Sequence, residues 1–335
     1  MRGQSKPNQF VKLLAKTTKH HGIELVYFNP KDVDMKQKKI SGRVLVDNKW
    51  ENKEVNIPLF IDLTEFSFKH KKLIKFLREN SHFTADKLDS KSIDSMKKIK
   101  EDGEFADLLI PSIEHSDLKG FFHFINKHHQ IIMKPTNGRR GDDIYKLSKK
   151  GRKYVLSHGA ISTDNISLSK RQLKNFISKK SRESKFIYQK YIESKTQFGD
   201  PFDCRIRLEK NGKGKWEVVI NLIRIGSGQK VVSNVAKSGS VSKINKFLKA
   251  NYGEKWKTIK SDIINVGKTL PYKLEEIFNI EVGSLGIDIG VDKHGKLYLF
   301  EANTSPGYGF GEGPIAEVRC DYYKCMLDKY ANSNG

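Results

Sequence analysis

Cysteine is scarce in this 335-residue chain: there are three, Cys204, Cys320 and Cys325, an odd number without disulfide or metal-ligand spacing. That excludes a disulfide-stapled scaffold and a thiolate metal centre, and a reducing cytoplasm suits such thiols. No apolar run approaches the length of a membrane span. The N-terminal MRGQSKPNQF starts basic but has no apolar h-region, so no signal peptide is expected. Internal repeats, low-complexity tracts and Ser-His-Asp or Cys-His arrangements are absent too. Acidic residues are few, 39 against 62 basic, which leaves a net charge of +23. Such an excess favours polyanions or nucleotides as partners. The lysines are scattered, as in KKIK, SKK and KHKK, and form no Arg-rich, aromatic-laced stripe. Specific nucleic-acid binding is therefore not expected.

What is present reads as globular: hydrophobic residues make up 37% and aromatics 10%, on a chain long enough for two domains or one large one. The most informative stretch is SLGIDIGVDKHGKLYLFEANTSPG, residues 284–307. It reads as two strands joined by a turn near Asp292 and Gly295. Side chains two apart on a strand share a face, so Glu301 and Asn303 project together. The hairpin would bring Asp288 beside them. Three converging oxygen donors suit a hard divalent cation, Mg²⁺ above all. The bland alternative is an exposed ribbon kept soluble by its acids, but GIDIGV and KLYLF are too apolar for that.

Upstream, residues 10–20 have helical periodicity, and residues 23–28 (IELVYF) read as a buried strand closed by Asn29 and Pro30. Residues 39–46 and 50–57 read as a hairpin and 59–63 as another strand, together suggesting a small open α/β domain that lacks an obvious first strand. Helices are expected at 69–79, 92–103 and 118–127, the last with Asp117 as N-cap. Further strands are expected at 131–134, 144–147, 153–157 and 186–188, with a helix at 168–180. Strands at 202–210 and 216–224 follow, then a helix at 261–278 kinked near Pro271, and a closing helix at 315–330.

Three more segments carry chemistry. In IIMKPTNGRRG, Lys134 closes a strand before a glycine-containing loop, which suits a cation reaching nucleotide phosphates. FIYQKYIES, taken alone, is an unremarkable strand exit. In PFDCRIRL, Asp203 and Arg205 alternate on one strand face, and Arg224 ends the partner strand in INLIRIGSG. A guanidinium fork can hold a phosphate or carboxylate with two hydrogen bonds. An ordinary surface ion pair between Asp203 and Arg205 is the alternative.

Taken in order from about residue 91 to 307, these blocks resemble the ATP-grasp superfamily. GIELVYFNPKDVDMKQKKISGRV in the N-terminal third is similar to the YheC/YheD branch, described as endospore coat-associated. The resemblance implies an ATP-grasp fold of the α/β class, with nucleotide bound between two α+β subdomains. An N-terminal open α/β pre-ATP-grasp domain would span 1–85 and the ATP-grasp domain 86–335. A central lid would cover about 130–192 and a metal-bearing subdomain 193–335. By position, Lys91 and Lys134 would contact phosphates, with Gly138 and Gly141 in the covering loop. Gln189, Lys190 and Ile192 would line the adenine pocket. Asp203, Asn234 and Lys237 would add nucleotide or substrate contacts, and Arg224 and Arg205 would be catalytic. Asp288, Glu301 and Asn303 match the family's metal ligands, and Ser305 and Gly307 would face the acyl substrate. Asp142 and Asp143 depart from the pattern, standing where related loops carry a basic or small residue and a glycine.

The implied activity is an ATP-dependent carboxylate–amine ligase that forms an amide through an acyl phosphate. Its cofactors would be ATP and two Mg²⁺ ions, or Mn²⁺. Its partners would be a small-molecule or peptide carboxylate, or an anionic polymer, and an amine, with a homodimer as in many members. A non-catalytic coat or envelope assembly protein and an ATP-grasp phosphotransferase are the competing readings.

Overall fold

The computed structural model describes residues 6–86, 88, 93–114, 117–136, 143–158, 165–226 and 239–331. The chain opens with helix α1 (Gln9–His20), capped by the Asn8 side chain accepting from the Val11 N–H. Strands β1 (Val33–Asp34), β2 (Lys39–Val46) and β3 (Lys49–Asn56) form an antiparallel sheet, turned at Asp47 and Asn48 in positive-φ conformations. Strand β4 (Phe60–Ile61), helix α2 (Lys71–Asn80) and strand β5 (His82–Phe83) follow, with β4 and β5 paired in parallel. Residues 23–28 are not the expected buried strand. Only Tyr27 bridges to β2, exchanging both backbone hydrogen bonds with Arg43 at 2.8 Å. Among the described residues that single bridge is the segment's pairing, so no ladder forms even though Tyr27 and Phe28 are buried.

Helix α3 (Ile93–Asp102) leads to a six-stranded antiparallel sheet in the order β10-β9-β8-β7-β11-β6. Its strands are β6 (Ser112–Glu114), β7 (Gln130–Pro135), β8 (Tyr145–Lys150), β9 (Lys153–His158), β10 (Asn165–Leu168) and β11 (Phe186–Lys190). One face packs Ile131, Met133, Leu147 and Tyr188 against helices α4 (Leu118–His128) and α5 (Lys170–Glu183). Asp117 caps α4, as the sequence predicts, accepting from Gly120 N–H at 2.8 Å. The period-two rule then assigns Ile132, Lys134, Lys146 and Gln189 to the opposite face.

The second sheet, in the order β14-β13-β12-β15-β16, is also antiparallel. It comprises β12 (Phe202–Lys210), β13 (Trp216–Ile225), β14 (Ser240–Lys243), β15 (Ser284–Val291) and β16 (Leu297–Asn303). Between β14 and β15 lie helices α6 (Ile244–Tyr252) and α7 (Trp256–Phe278). Helix α7 starts five residues before the expected 261 and runs through Pro271. Ile259, Ile263, Val266 and Leu270 recur at helical spacing and are all buried, so the packed stripe carries the helix past proline's lost hydrogen bond. Strand β12 explains the sheet's two faces. Its residues 202, 204, 206 and 208 (Phe, Cys, Ile, Leu) pack on α6 and α7, while 203, 205, 207 and 209 (Asp, Arg, Arg, Glu) point the other way.

Helix α8 (Glu312–Ala331) ends the described chain and packs Ile315, Ala316 and Tyr323 against Phe10 and Leu14 of α1. The first and last helices thus share one core. All three cysteines are free thiols, with Cys204 and Cys320 buried and Cys325 half-buried.

Candidate nucleotide and metal site

The charged face of the second sheet gathers the residues that the sequence singled out. In the β15–β16 register Asp288 stands directly opposite Glu301, and Gly286 opposite Asn303. The three metal-ligand candidates therefore share one face at the end of the hairpin. On the other side of β15, Asp288 pairs with Arg205 of β12, and Asp203 of β12 pairs with Arg224 of β13.

These neighbours form a continuous ion-pair row. Arg224 grips Asp203 with both arms, at 2.6 and 2.7 Å, and its Nη2 reaches Asp288 Oδ2 at 2.9 Å. Arg205 Nη2 donates to Asp288 Oδ2 at 2.9 Å, and its Nε lies 2.5 Å from Oδ1 without hydrogen-bond alignment. The alternative of a surface pair between Asp203 and Arg205 fails on both counts. Each has a different partner, and Asp203 and Asp288 are each only 6% exposed. Burial alone would lower the Arg224 pKa, but Asp288 and Asp203 together hold it above the ordinary guanidinium range. Asp203 thus holds Arg224 in place.

Among the described residues no cluster of three or more His, Cys, Asp or Glu forms a metal centre. The candidate set has two acids and an amide, and its chemistry fits a hard cation. The buried Asn303 Oδ1 has no hydrogen-bond donor, and Asp288 Oδ1 meets only the misaligned Arg205 Nε; a buried oxygen without a donor is costly unless something positive meets it. Two guanidinium groups already share Asp288, so a cation there would sit beside Arg205 and Arg224.

The same face of β12 carries two residues that the sequence reading missed. Arg207, 1% exposed, pairs with Glu209, also 1% exposed, and donates to the Pro306 and Gly307 carbonyls at 2.5 and 3.3 Å. Burial pushes the Arg207 pKa down to about 10, against the pull of Glu209, with Arg319 adding to the fall. Glu209 is also held by Arg319 of α8 at 3.0 Å, and Arg319 reaches Asp62 at 3.5 Å. A buried arginine–glutamate–arginine cluster therefore fixes the chain at 306–307, beside Ser305. The period-two alternation in FDCRIRLE was the signal for Arg207 and Glu209. Arg319 lies 110 residues further along and has no local signal.

The six-stranded sheet carries the remaining described candidates. Lys134 on β7 lies opposite Ile187, and Gln189 lies opposite Ile132. Gln189 is 5% exposed, and its side-chain amide donates to Ser112 Oγ at 2.8 Å, which ties β11 to β6. The Lys190 and Tyr191 N–H groups bond to Pro111 and Gln130, whereas none of the described backbone hydrogen bonds uses the Ile192 N–H. Lys146, on the same face as Lys134 by register, sits over the Tyr191 ring at 3.5 Å. Burial, with Lys195 nearby, lowers its pKa to about 8, Glu193 opposing. No motif marks this lysine.

Asp143 is turned away from that face. Tyr145 donates to it at 3.1 Å and Lys180 of α5 lies 3.8 Å away, both on the helix-covered side. Its φ of 56° accounts for the reversal. Lys91, Gly138, Gly141, Asn234 and Lys237, together with Asp142, lie outside the described residues.

Two antiparallel sheets joined through the 191–201 connector, the second with an acid-bearing hairpin, define an ATP-grasp protein together with the matching family profile. Within that superfamily the chain belongs to the YheC/D-like ATP-grasp family, whose profile matches residues 82–332. It is 22% identical over 328 residues to the endospore coat-associated protein YheC of Bacillus subtilis (strain 168), covering 94% of this chain and 90% of YheC. It is 26% identical over 202 residues to YheD of the same organism, covering 59% of this chain and 43% of YheD. The matched part thus spans less than half of YheD. Among solved structures, a Chryseobacterium gregarium RiPP-associated ATP-grasp ligase, in complex with ADP and a leader and core peptide, superposes with a TM-score of 0.57. It is 13% identical, over 98% of this chain and 95% of that one. The ATP-grasp ligase PsnB, complexed with precursor peptide PsnA2 and AMPPNP, gives 0.55 at 12% identity, over 97% of each chain. These likenesses concern the fold. No described helix is long and apolar enough to cross a membrane.

Proposed function

We propose that the protein is an ATP- and Mg²⁺-dependent carboxylate–amine ligase that forms an amide through an acyl phosphate. The observation that carries this reading is the Asp203–Arg224–Asp288–Arg205 row beside Glu301 and Asn303, with the buried Asn303 Oδ1 lacking a donor. The nucleotide would lie between the sheet of residues 130–192 and that of 193–335, its base against residues 189–192. Lys134 and Lys146 would face its phosphates. Glu301, Asn303 and Asp288 would hold Mg²⁺, one or two ions, which when bound would screen the phosphate charge.

The substrate carboxylate, seated by residues 305–307, attacks the γ-phosphorus. One carboxylate O–P bond forms, the β–γ bridging bond breaks, and ADP departs with the electron pair. Arg224 and Arg205 meet the charge gathering on the transferring group. An amine then attacks the acyl carbon, expels phosphate and gives up a proton. The main barrier is the approach of two anions, which the guanidinium pair offsets.

The ligases among the solved structures bind peptides and nucleotide, and this supports a peptide-like acid or amine here. A cytoplasmic site of action is part of the proposal. Mass analysis of products tests it: ADP with a condensed amide supports the ligase. A phosphorylated substrate would instead make the chain a phosphotransferase. A second reading, a coat assembly protein without turnover, draws on the coat association in the names of YheC and YheD. The placement of Asp143 against Lys180 removes part of its basis, because that carboxylate is not aimed at the nucleotide.

A further inference from the structure

A cavity of about 450 Å³ opens beyond the metal hairpin, between the N-terminal segment and α8. Ser305, Pro306 and Gly307 form part of its wall, directly after Asn303. Its size is that of a small-molecule cleft, not of a polymer groove.

The charges in its wall are largely used up. Glu209 accepts from Arg319 at 3.0 Å, and Asp62 accepts from Tyr323 at 2.7 Å and from Arg319 at 3.5 Å. These groups neutralise one another. Lys69 also lines the cavity, is exposed, and makes no ion pair among the described residues. It is the one basic lining residue without an acidic partner there.

Three of the four lining tyrosines are committed in the same way. Tyr27 donates its hydroxyl to the Lys6 carbonyl at 3.3 Å, Tyr308 accepts from the Asn8 amide, and Tyr323 is held by Asp62. What remains for a ligand is ring surface, joined by the apolar Val11, Leu63 and Pro306, and two buried hydroxyls without partners, those of Tyr322 and Thr64. Ring and aliphatic surface with two neutral hydroxyls and one open positive charge binds a compact amphipathic anion better than a chain of carboxylates, whose further charges would meet no cation.

We propose that this cavity takes a small acid with an apolar or aromatic body and a single negative charge, balanced by Lys69. The inference rests on the ligase reading, as its acid subsite. It runs against the expectation of a polyanionic substrate drawn from the net charge of +23.

The test is calorimetric titration of the full chain with N-acetylphenylalanine, its neutral amide and γ-linked triglutamate, each with and without ADP and Mg²⁺. A chain that bound no nucleotide would sink the ligase reading while still reporting on the cavity. N-acetylphenylalanine is expected to bind at least tenfold more tightly than triglutamate in one of the two conditions. Lys69→Met should weaken it at least fivefold and leave the neutral amide unchanged, and Lys69→Arg should restore it. Tighter binding of triglutamate, equal effects of Lys69→Met on acid and amide, or no binding of N-acetylphenylalanine in either condition would overturn the proposal.

Discussion

Asp288 lies between two guanidinium groups, and that placement sets how a cation and a nucleotide can share the hairpin. Asp203 keeps Arg224 in place from the far side, so Asp203→Asn should act on Arg224's aim as well as on folding. The expected cost is about 1.5–3 kcal/mol in urea unfolding, the range for hydrogen bonds to charged groups. An unchanged urea midpoint would show that the two-armed contact is not held in solution. Lys146 gives a prediction with a defined sign. Its folded pKa of about 8 lies below the ordinary 10.5. Below pH 8 the ammonium is charged in both states, and the penalty of burying it is fully felt. Between about 8 and 10.5 the folded chain releases its proton first, so this group's contribution to stability rises with pH. Lys146→Met should flatten that rise when urea midpoints are compared across the window. At this scale much was readable: strand parity placed Asp288, Glu301 and Asn303 on one face. Parity extended two and four residues beyond Arg205 would have added Arg207 and Glu209. Lys146 was not readable, because its burial, over the Tyr191 ring, arises only in the folded sheet.

Strand β15 and the segment after β16 depend on each other through a close approach. A Cβ on Gly286 would lie 2.6 Å from Pro306 Cβ and 3.1 Å from Arg205 Nη1. Gly286→Ala must therefore push residues 305–307 away from the sheet or disturb Arg205. We expect ADP release to fall tenfold or more while far-ultraviolet circular dichroism stays unchanged. Full activity in this variant would show that the close approach is not needed for turnover. Elements were legible where pattern and pairing agreed. The β12–β13 and β15–β16 pairs form as expected because FDCRIRLE and SLGIDIGV alternate or bury on strand period. Residues 23–28 look equally strand-like, but their neighbour offers only the Tyr27–Arg43 bridge. Propensity without a partner strand is not enough.

On the scale of the whole molecule, the chain's two ends close one core. Phe10 and Leu14 cover Ile315, Ala316 and Tyr323 of the last helix, and Tyr308 stacks on Phe10 at 4.1 Å. A chain beginning at residue 86 would expose that apolar face. It should therefore aggregate, whereas the full chain stays monodisperse in light scattering. Leu14→Ala should cost about 2–5 kcal/mol in urea unfolding, as a buried leucine truncation does. This closure was invisible in sequence, since nothing local links residue 14 to residue 316. The order of the four blocks, by contrast, was enough to identify the superfamily. The central claim is that this site holds ATP with Mg²⁺ at the β15–β16 hairpin. Calorimetric titration of ATP with and without Mg²⁺, in the wild-type chain and in Glu301→Gln, tests it most directly. The account predicts Mg²⁺-dependent binding that Glu301→Gln weakens at least tenfold, about 1.4 kcal/mol. Absent binding, or binding indifferent to both the metal and the substitution, would contradict it.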